Sequence, residues 1–274
     1  MVSRNKSISL WVVSIIITLC ISYYQRMTGP TRPVRSEVEI NDNLYKFKLH
    51  RTFDGDKAPV KIKIEGKNIQ GKVYFKVFRS PDEWKESPMK YKGEYLTAYL
   101  PHMPPAGKIE YKVELNAGDK RYFLTDVPTV IRYKGAVPAG VLIPHIILMF
   151  LAILFSFRTG VEALFKGHRT FKYTTITMVS LFIGGLILGP IVQNYAFGDY
   201  WTGWPFGGDW TDNKTVFAFL FWVIAWFVLK KNKKNKFWPI LAAVVLFSIY
   251  MIPHSMGGSE LDPETGKVTA GLKE

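Results

Sequence analysis

The residues best suited to chemistry lie in the C-terminal half, where two histidines flank a loop rich in tryptophan. His145 lies within one apolar run and His254 directly follows another. Between them, residues 195–215 read YAFGDYWTGWPFGGDWTDNKT. Imidazole nitrogens can serve as axial ligands of a metal in a planar macrocycle, and indoles can stack on such a ring and donate an N–H group. The predicted ligand set is two histidines and three tryptophans: His145, His254, Trp201, Trp204 and Trp210.

Further candidate residues surround this set. Met149 follows His145 by four residues, so a helix would place both side chains on one face. An alternative to the planar ligand is a cation held by His254 with four carboxylates, because hard and borderline cations bind oxygen and imidazole donors. Those carboxylates are Asp209, Asp212, Glu260 and Asp262. Asp212 has a second interpretation as the N-cap of the helix that follows it.

Five apolar runs must position these residues. Each is long enough, with its flanks, to cross about 30 Å of hydrocarbon as a helix. They are Ile8–Tyr24, Val137–Phe157, Tyr173–Tyr195, Val216–Leu229 and Phe237–Pro253. The sequence therefore predicts an integral membrane protein. Membrane lipid is an expected partner, and no nucleic acid is needed to explain the net charge of +14.

The distribution of basic residues predicts the orientation. Bases are enriched on the cytoplasmic side of membrane proteins. Here they precede the first run and lie between runs two and three and between runs four and five, whereas residues 194–213 contain no base. Five spans then place the N-terminus inside and the β-rich segment, the Trp-rich loop and the C-terminus outside. The expected location is a bacterial-type inner membrane.

The first apolar run has two interpretations, an uncleaved anchor and a cleavable signal peptide. No A-x-A-like site follows it, since the run ends in Ser22-Tyr23-Tyr24-Gln25-Arg26. An uncleaved anchor is therefore favoured. Cys20 is the single cysteine and lies in this run, so the external segment can form no internal disulfide.

Residues 37–133 have a different pattern, in which apolar and polar residues alternate in short runs. Examples are Val60–Ile64 and Ile109–Leu115, and turn residues such as Asn116-Ala117-Gly118-Asp119 separate such runs. This alternation is typical of an antiparallel β-sandwich. The segment resembles an immunoglobulin or fibronectin type III domain, which implies a docking or spacer module.

The predicted fold class is a membrane protein with an N-terminal anchor helix, an external all-β immunoglobulin-like sandwich and a C-terminal four-helix transmembrane bundle. Its segments are a cytoplasmic start and anchor (1–26), the sandwich (35–134), four transmembrane helices (137–254) with an outer Trp-rich loop (195–215), and an external acidic tail (255–274).

The Trp-rich loop resembles the tryptophan-rich "WWD" loop of haem-handling membrane proteins in cytochrome c maturation. The matching pieces are Trp201-Thr-Gly-Trp204, Asp209-Trp210 and Asp212-Asn-Lys214-Thr215, which leads into a span. The third Trp follows its Asp here instead of preceding it. The resemblance implies an outer haem site in which His145 and His254 stand for the two flanking histidines.

These observations favour a membrane protein with an outer-face site for haem or another metal or planar ligand, acting in haem handling or cytochrome assembly. The alternative is a non-catalytic scaffold subunit that docks a protein partner through its external sandwich. A metal-dependent enzyme ranks last, because the sequence shows no nucleophile paired with a base.

Overall fold

Long helices frame a β-rich segment in the computed structural model, which describes residues 4–64, 68–253 and 257–270. The helices are α1 (Arg4–Thr28), α2 (Ala139–Leu164), α3 (Thr170–Ser180), a π-helical segment (Leu181–Leu188), α4 (Gly189–Phe197), α5 (Trp210–Lys231) and α6 (Phe237–Met251). α3, the π-helical segment and α4 follow one another without a break, as residues 170–197.

Four of these helical stretches are long and apolar enough to cross a membrane: α1, α2, residues 170–197 and α5. This finding supports the prediction of a membrane protein. The fifth apolar run differs from the prediction, because α6 has only 15 residues. At 1.5 Å per residue such a helix is about 22 Å long, shorter than the full hydrocarbon core. α6 packs against α2 and α5.

Small residues allow the helices to approach one another closely. A Cβ atom on Gly160 of α2 would lie 2.9 Å from Cβ of Ala243 on α6. In the π-helical segment, a Cβ on Gly184 would lie 2.7 Å from Cβ of Leu148 on α2. Such contacts are shorter than real carbon contacts, so glycine sets the separation of these helices.

The β-rich segment, residues 34–133, is called the β region below. Its strands are β1 (Val34–Ile40), β2 (Asn43–Leu49), β3 (Thr52–Phe53), β4 (Pro59–Lys63), β5 (Ile69–Val77), β6 (Lys85–Pro88), β7 (Lys90–Lys92), β8 (Tyr95–Tyr99), β9 (Lys108–Ala117), β10 (Lys120–Phe123) and β11 (Thr129–Tyr133). A short hairpin follows α6, formed by β12 (Ser259–Leu261) and β13 (Val268–Ala270).

The strands of the β region form a large sheet, a small sheet and a separate hairpin. The large sheet has the order β3-β11-β9-β5-β6, with β10 also paired to β9. The small sheet has the order β4-β8-β7, and β1 pairs with β2. All of these pairs are antiparallel except β3 with β11. The alternation read from the sequence thus forms strands, and the immunoglobulin-like resemblance stays a prediction.

One hydrophobic core serves both sheets and the β1–β2 hairpin. Along β9, alternate residues are fully buried, starting with Ile109, Tyr111 and Val113. They belong to the same cluster as Ile62 of β4 and Phe47 of β2. Burial of one face of each strand therefore fixes the register of the pairs.

Backbone hydrogen bonds link the β region, and the residues directly after it, to the helices and to the β12–β13 hairpin. Gly135 donates its N–H to the carbonyl of Ala196 at 2.9 Å, and Leu261 donates to the carbonyl of Ala106 at 3.1 Å. A Cβ on Gly135 would lie only 2.1 Å from the carbonyl oxygen of Tyr195, so this approach requires glycine. The end of α4 and the β12–β13 hairpin both contact the β region, and the bundle end that they mark is called the β-region end.

Candidate functional site

A cavity of about 550 Å³ lies at the β-region end of the helix bundle. All the described spanning helices contribute to its wall, together with α6, β11, β12 and the Trp-rich loop. Its apolar lining includes Phe150, Ile153 and Leu181. Its polar lining includes Gln25, Arg26, Arg132, His145, Gln193, Asp209, Asp212, Lys214, Tyr250 and Ser259. A volume of about 300–1,000 Å³ is usual for sites that bind small molecules.

His145 lines this cavity from α2. Its Nδ1 atom lies 2.8 Å from the carbonyl oxygen of Gly184 in the π-helical segment. A carbonyl only accepts hydrogen bonds, so Nδ1 carries the proton and Nε2 keeps its lone pair. No hydrogen bond to Nε2 comes from the residues that the structure describes. His145 is therefore in the tautomer that can bind a metal through Nε2. Met149 lines the same cavity, as its spacing predicted.

The π-helical geometry is part of this arrangement. The carbonyl of Gly184 accepts the N–H of Gly189, five residues later, as well as the imidazole N–H. π-helical turns occur frequently at functional sites, because they redirect backbone groups within a helix. Here they present a carbonyl to His145 on the neighbouring helix.

Asp212 organises the Trp-rich loop. Its Oδ2 atom accepts the backbone N–H groups of Thr202 at 2.8 Å and Gly203 at 2.9 Å, and the amide of Gln193 at 3.2 Å. A Cβ on Gly203 would lie 2.6 Å from Cβ of Asp212, so this turn requires glycine. Asn213 adds a further contact by accepting the N–H of Trp204 at 2.6 Å.

Asp209, and not Asp212, is the N-cap of α5, which corrects the second interpretation of Asp212. Its Oδ1 accepts the N–H of Thr211 at 2.7 Å. Its Oδ2 accepts the hydroxyl of Thr202 at 3.0 Å, and that hydroxyl lies 3.2 Å from the hydroxyl of Ser259. The helix begins at Trp210, six residues before Val216, where the apolar run starts, so the polar residues Thr211, Asp212 and Asn213 lie in its first turn.

The three tryptophans do not share one environment. Trp201 lines the cavity and donates its indole N–H to the carbonyl of Trp204 at 3.1 Å. The side chains of Trp204 and Trp210 are 78% and 51% exposed and are not part of the cavity wall. The structure therefore places one of the three predicted indoles at the cavity and leaves two on the surface.

The four predicted carboxylates are also separated, which corrects their grouping as one cation site. Asp212 accepts loop N–H groups and Asp209 caps α5, as above, whereas Glu260 pairs with Lys108 and lies 3.9 Å from Arg79. Asp262 accepts the N–H of Glu264 at 3.0 Å within the β12–β13 connection. Among residues 4–64, 68–253 and 257–270, no group of three or more His, Cys, Asp or Glu could hold a metal ion. His254 lies outside the described residues.

Arg132 is a site residue that sequence reasoning missed. It is 8% exposed, donates to the carbonyl of Ser259 at 3.2 Å, and stacks on Phe197 with 4.3 Å from Cζ to the ring centroid. Burial lowers the pKa of Arg132, and the charges of Asp209 and Glu260 oppose that effect. The sequence gives no signal for this role, because an Arg is common in a strand with alternating polar and apolar residues. The role becomes visible only from the position of Arg132 in the fold.

Lys214 and Gln193 were also missed as cavity residues. Gln193 interrupts an apolar run, and this signal could have identified it. Lys214 donates to the carbonyl of Ile252 at 3.4 Å, and no carboxylate of the described residues lies within 4.0 Å of its Nζ. The cavity wall thus holds three cations, with Arg26 and Arg132, against two carboxylates whose oxygens bind the loop. The excess of positive charge in the cavity wall favours an anionic ligand group.

A separate buried ion pair lies at the opposite end of α2. The guanidinium of Arg158 contacts the carboxylate of Glu162 at 2.6 Å, and neither residue is more than 2% exposed. The guanidinium also lies over the rings of Trp11 and Tyr173. Arg158 directly follows the second apolar run of the sequence, but α2 continues past it and buries it. This pair ties α1, α2 and α3 together.

The chain was also compared with known proteins. No protein-family model, no curated protein sequence and no solved structure matches it.

Proposed function

We propose that this protein binds haem in the cavity at the β-region end of its helix bundle and acts in haem handling or cytochrome assembly. The observation that carries the proposal is the hydrogen bond from His145 Nδ1 to the carbonyl of Gly184, which leaves the lone pair of Nε2 available to a metal. Trp201 lines the same cavity, and we assign to its indole the role of stacking on the planar ligand. Bound haem would supply an iron that coordinates imidazole.

The other cavity residues fit such a ligand. Phe150, Ile153 and Leu181 offer an apolar wall for the macrocycle. Arg26, Arg132 and Lys214 are cations that suit two propionate groups. Met149 lies one turn from His145 on the same helix and would contact the macrocycle beside it, and His254 is the second histidine that the sequence predicts as a ligand.

The proposed orientation places the cavity, the β region and the β12–β13 hairpin on the outer face of a bacterial-type inner membrane. It rests on the basic residues near the opposite bundle end, such as Lys166, Lys172 and Lys230, because positive charge favours the cytoplasmic side.

The test is an absorption spectrum of the purified full chain, oxidised and reduced, after expression with haem supply. We expect a Soret band that shifts on reduction and is lost in His145→Ala. The matched control is His168→Ala, since His168 precedes α3 and lies outside the cavity wall. A band that persists in His145→Ala, or a well-folded and colourless wild-type protein that takes up no added haem, would overturn the proposal.

A second candidate function is a scaffold subunit of a larger membrane complex. It is favoured by two aromatic side chains of the Trp-rich loop, Trp204 and Phe206, which are 78% and 83% exposed. Large exposed aromatics are typical interface anchors. Under this alternative, a Trp204→Ser/Phe206→Ser variant loses a co-purifying partner and no pigment is present. Under the haem proposal the same variant keeps its Soret band, because neither residue lines the cavity.

A further inference from the structure

We infer that the β region carries a second ligand site, a cationic cleft that binds the phosphate headgroups of anionic phospholipids. The cleft has a volume of about 550 Å³ and lies between the β1–β2 hairpin and β4. Its charged lining residues are Arg35, Glu37, Lys46, Lys48, Lys61 and Lys63. Five bases thus face one acid, in a site separate from the bundle cavity.

Strand geometry concentrates these bases. In β2 the exposed Lys46 and Lys48 alternate with the buried Phe47 and Leu49. In β4 the exposed Lys61 and Lys63 alternate with buried Val60 and Ile62, so each strand presents two lysines on its solvent face. The hairpin register places Arg35 beside Lys48.

Most of this charge is not neutralised by the protein itself. Lys63 pairs with Glu94 at 3.1 Å, in an exposed contact. For Arg35, Lys46, Lys48 and Lys61, no carboxylate of the described residues lies within 4.0 Å. Like charges held together on neighbouring strands repel one another. A bound polyanion relieves that repulsion, which is why we assign the cleft to an anionic ligand.

The chain path favours a lipid over a soluble anion. Thr31 lines the cavity of the helix bundle, and Arg35 follows it by four residues. Four residues span at most about 14 Å, so the cleft begins close to the membrane-embedded part of the protein. Lys and Arg side chains that come within about one Debye length, 8–10 Å, of an anionic leaflet are attracted by its surface potential.

The experiment titrates the detergent-solubilised full chain with short-chain phosphatidylglycerol, short-chain phosphatidylcholine and glycerol 3-phosphate. The variant is Lys46→Gln/Lys48→Gln/Lys61→Gln. Its matched control is Lys85→Gln/Lys90→Gln/Lys120→Gln, which removes equal charge from exposed lysines of the β region outside the cleft. At about fivefold per base, the cleft variant should bind phosphatidylglycerol roughly 100-fold more weakly than wild type.

Support therefore consists of preferential binding of phosphatidylglycerol that the cleft variant loses and the control variant retains. Three results would overturn the proposal: equal binding of phosphatidylcholine, equal losses in both variants, or binding of glycerol 3-phosphate as tight as that of the lipid. The last result would assign the cleft to a soluble phosphate. Thermal unfolding of both variants verifies that they fold.

Discussion

The imidazole of His145 and the carbonyl of Gly184 are joined by a hydrogen bond of 2.8 Å between Nδ1 and O. The bond links α2 to the π-helical segment, and it fixes both the tautomer and the orientation of the ring. A metal-binding histidine usually has such a partner on its other nitrogen. The pair therefore connects helix packing to the chemistry that we propose for the cavity.

Gly184→Ala should disturb this link. The new Cβ would lie 2.7 Å from Cβ of Leu148, so α2 and the π-helical segment must separate. Overpacking of this kind costs about 1–3 kcal/mol. The measurement is thermal unfolding in detergent, together with the haem Soret band. Gly140→Ala is the control, because no neighbouring atom of the described residues lies within 4 Å of its Cβ position. Equal stability of the two variants would contradict the prediction.

Asp212→Ala should loosen the Trp-rich loop. The variant leaves the N–H groups of Thr202 and Gly203 without their acceptor, and it also removes a bond to Gln193. Losing these contacts should lower the free energy of local opening by about 3 kcal/mol. Amide exchange at the two residues should therefore become roughly 100-fold faster. Hydrogen exchange measures this directly. Asp199→Ala is the control, since within the described part of the chain Asp199 accepts a single hydrogen bond, from the N–H of Trp201 at 3.2 Å. Similar exchange in both variants would refute the role of Asp212.

Arg158 and Glu162 should show strong coupling in a double-mutant cycle of stability. Removing either partner leaves a buried charge unpaired, which costs about 3–5 kcal/mol. We therefore expect Arg158→Met/Glu162→Gln to cost much less than the sum of the single variants. The comparison pair is Lys72 and Glu86, also in contact at 3.2 Å but exposed, where coupling should stay below about 1 kcal/mol. Additive single effects at Arg158 and Glu162 would rule out the expected coupling.

Tyr133 should make the β region less stable at high pH. Burial raises its pKa from 10.0 to about 12, while the hydrogen bond from Ala58 opposes this effect. Its hydroxyl donates to the carbonyl of Pro101 at 2.7 Å. Because the folded-state pKa exceeds the unfolded value, this stabilisation is complete below pH 10 and is lost as pH rises through about 12.

The corresponding measurement is unfolding of wild type and Tyr133→Phe between pH 8 and pH 12. The variant should lose about 1 kcal/mol at neutral pH and show a shallower decline above pH 10. Part of the decline remains, because burial also raises the pKa of Tyr111. Parallel curves for the two proteins would mean that Tyr133 does not contribute to the decline.

Much of the architecture follows from local patterns. Runs such as Ile8–Tyr24 indicate membrane helices because every backbone group in the hydrocarbon must be satisfied within the segment. The alternation in Ile109–Leu115 indicates a strand because one face is buried. These signals depend on neighbouring residues alone. For the same reason, the spacing of four residues predicted a shared helix face for Met149 and His145, and both line the cavity.

The composition of the site depended on contacts between distant segments. Arg132 reaches Ser259 across 127 residues, and Glu260 pairs with Lys108 across 152. No local pattern encodes such distances, so the sequence grouped Glu260 with Asp212 on charge alone. The sequence by itself determined the helices, the strands and the candidate histidine. Only the tertiary structure decided which side chains share the cavity, because long-range packing, and not spacing, brings them together.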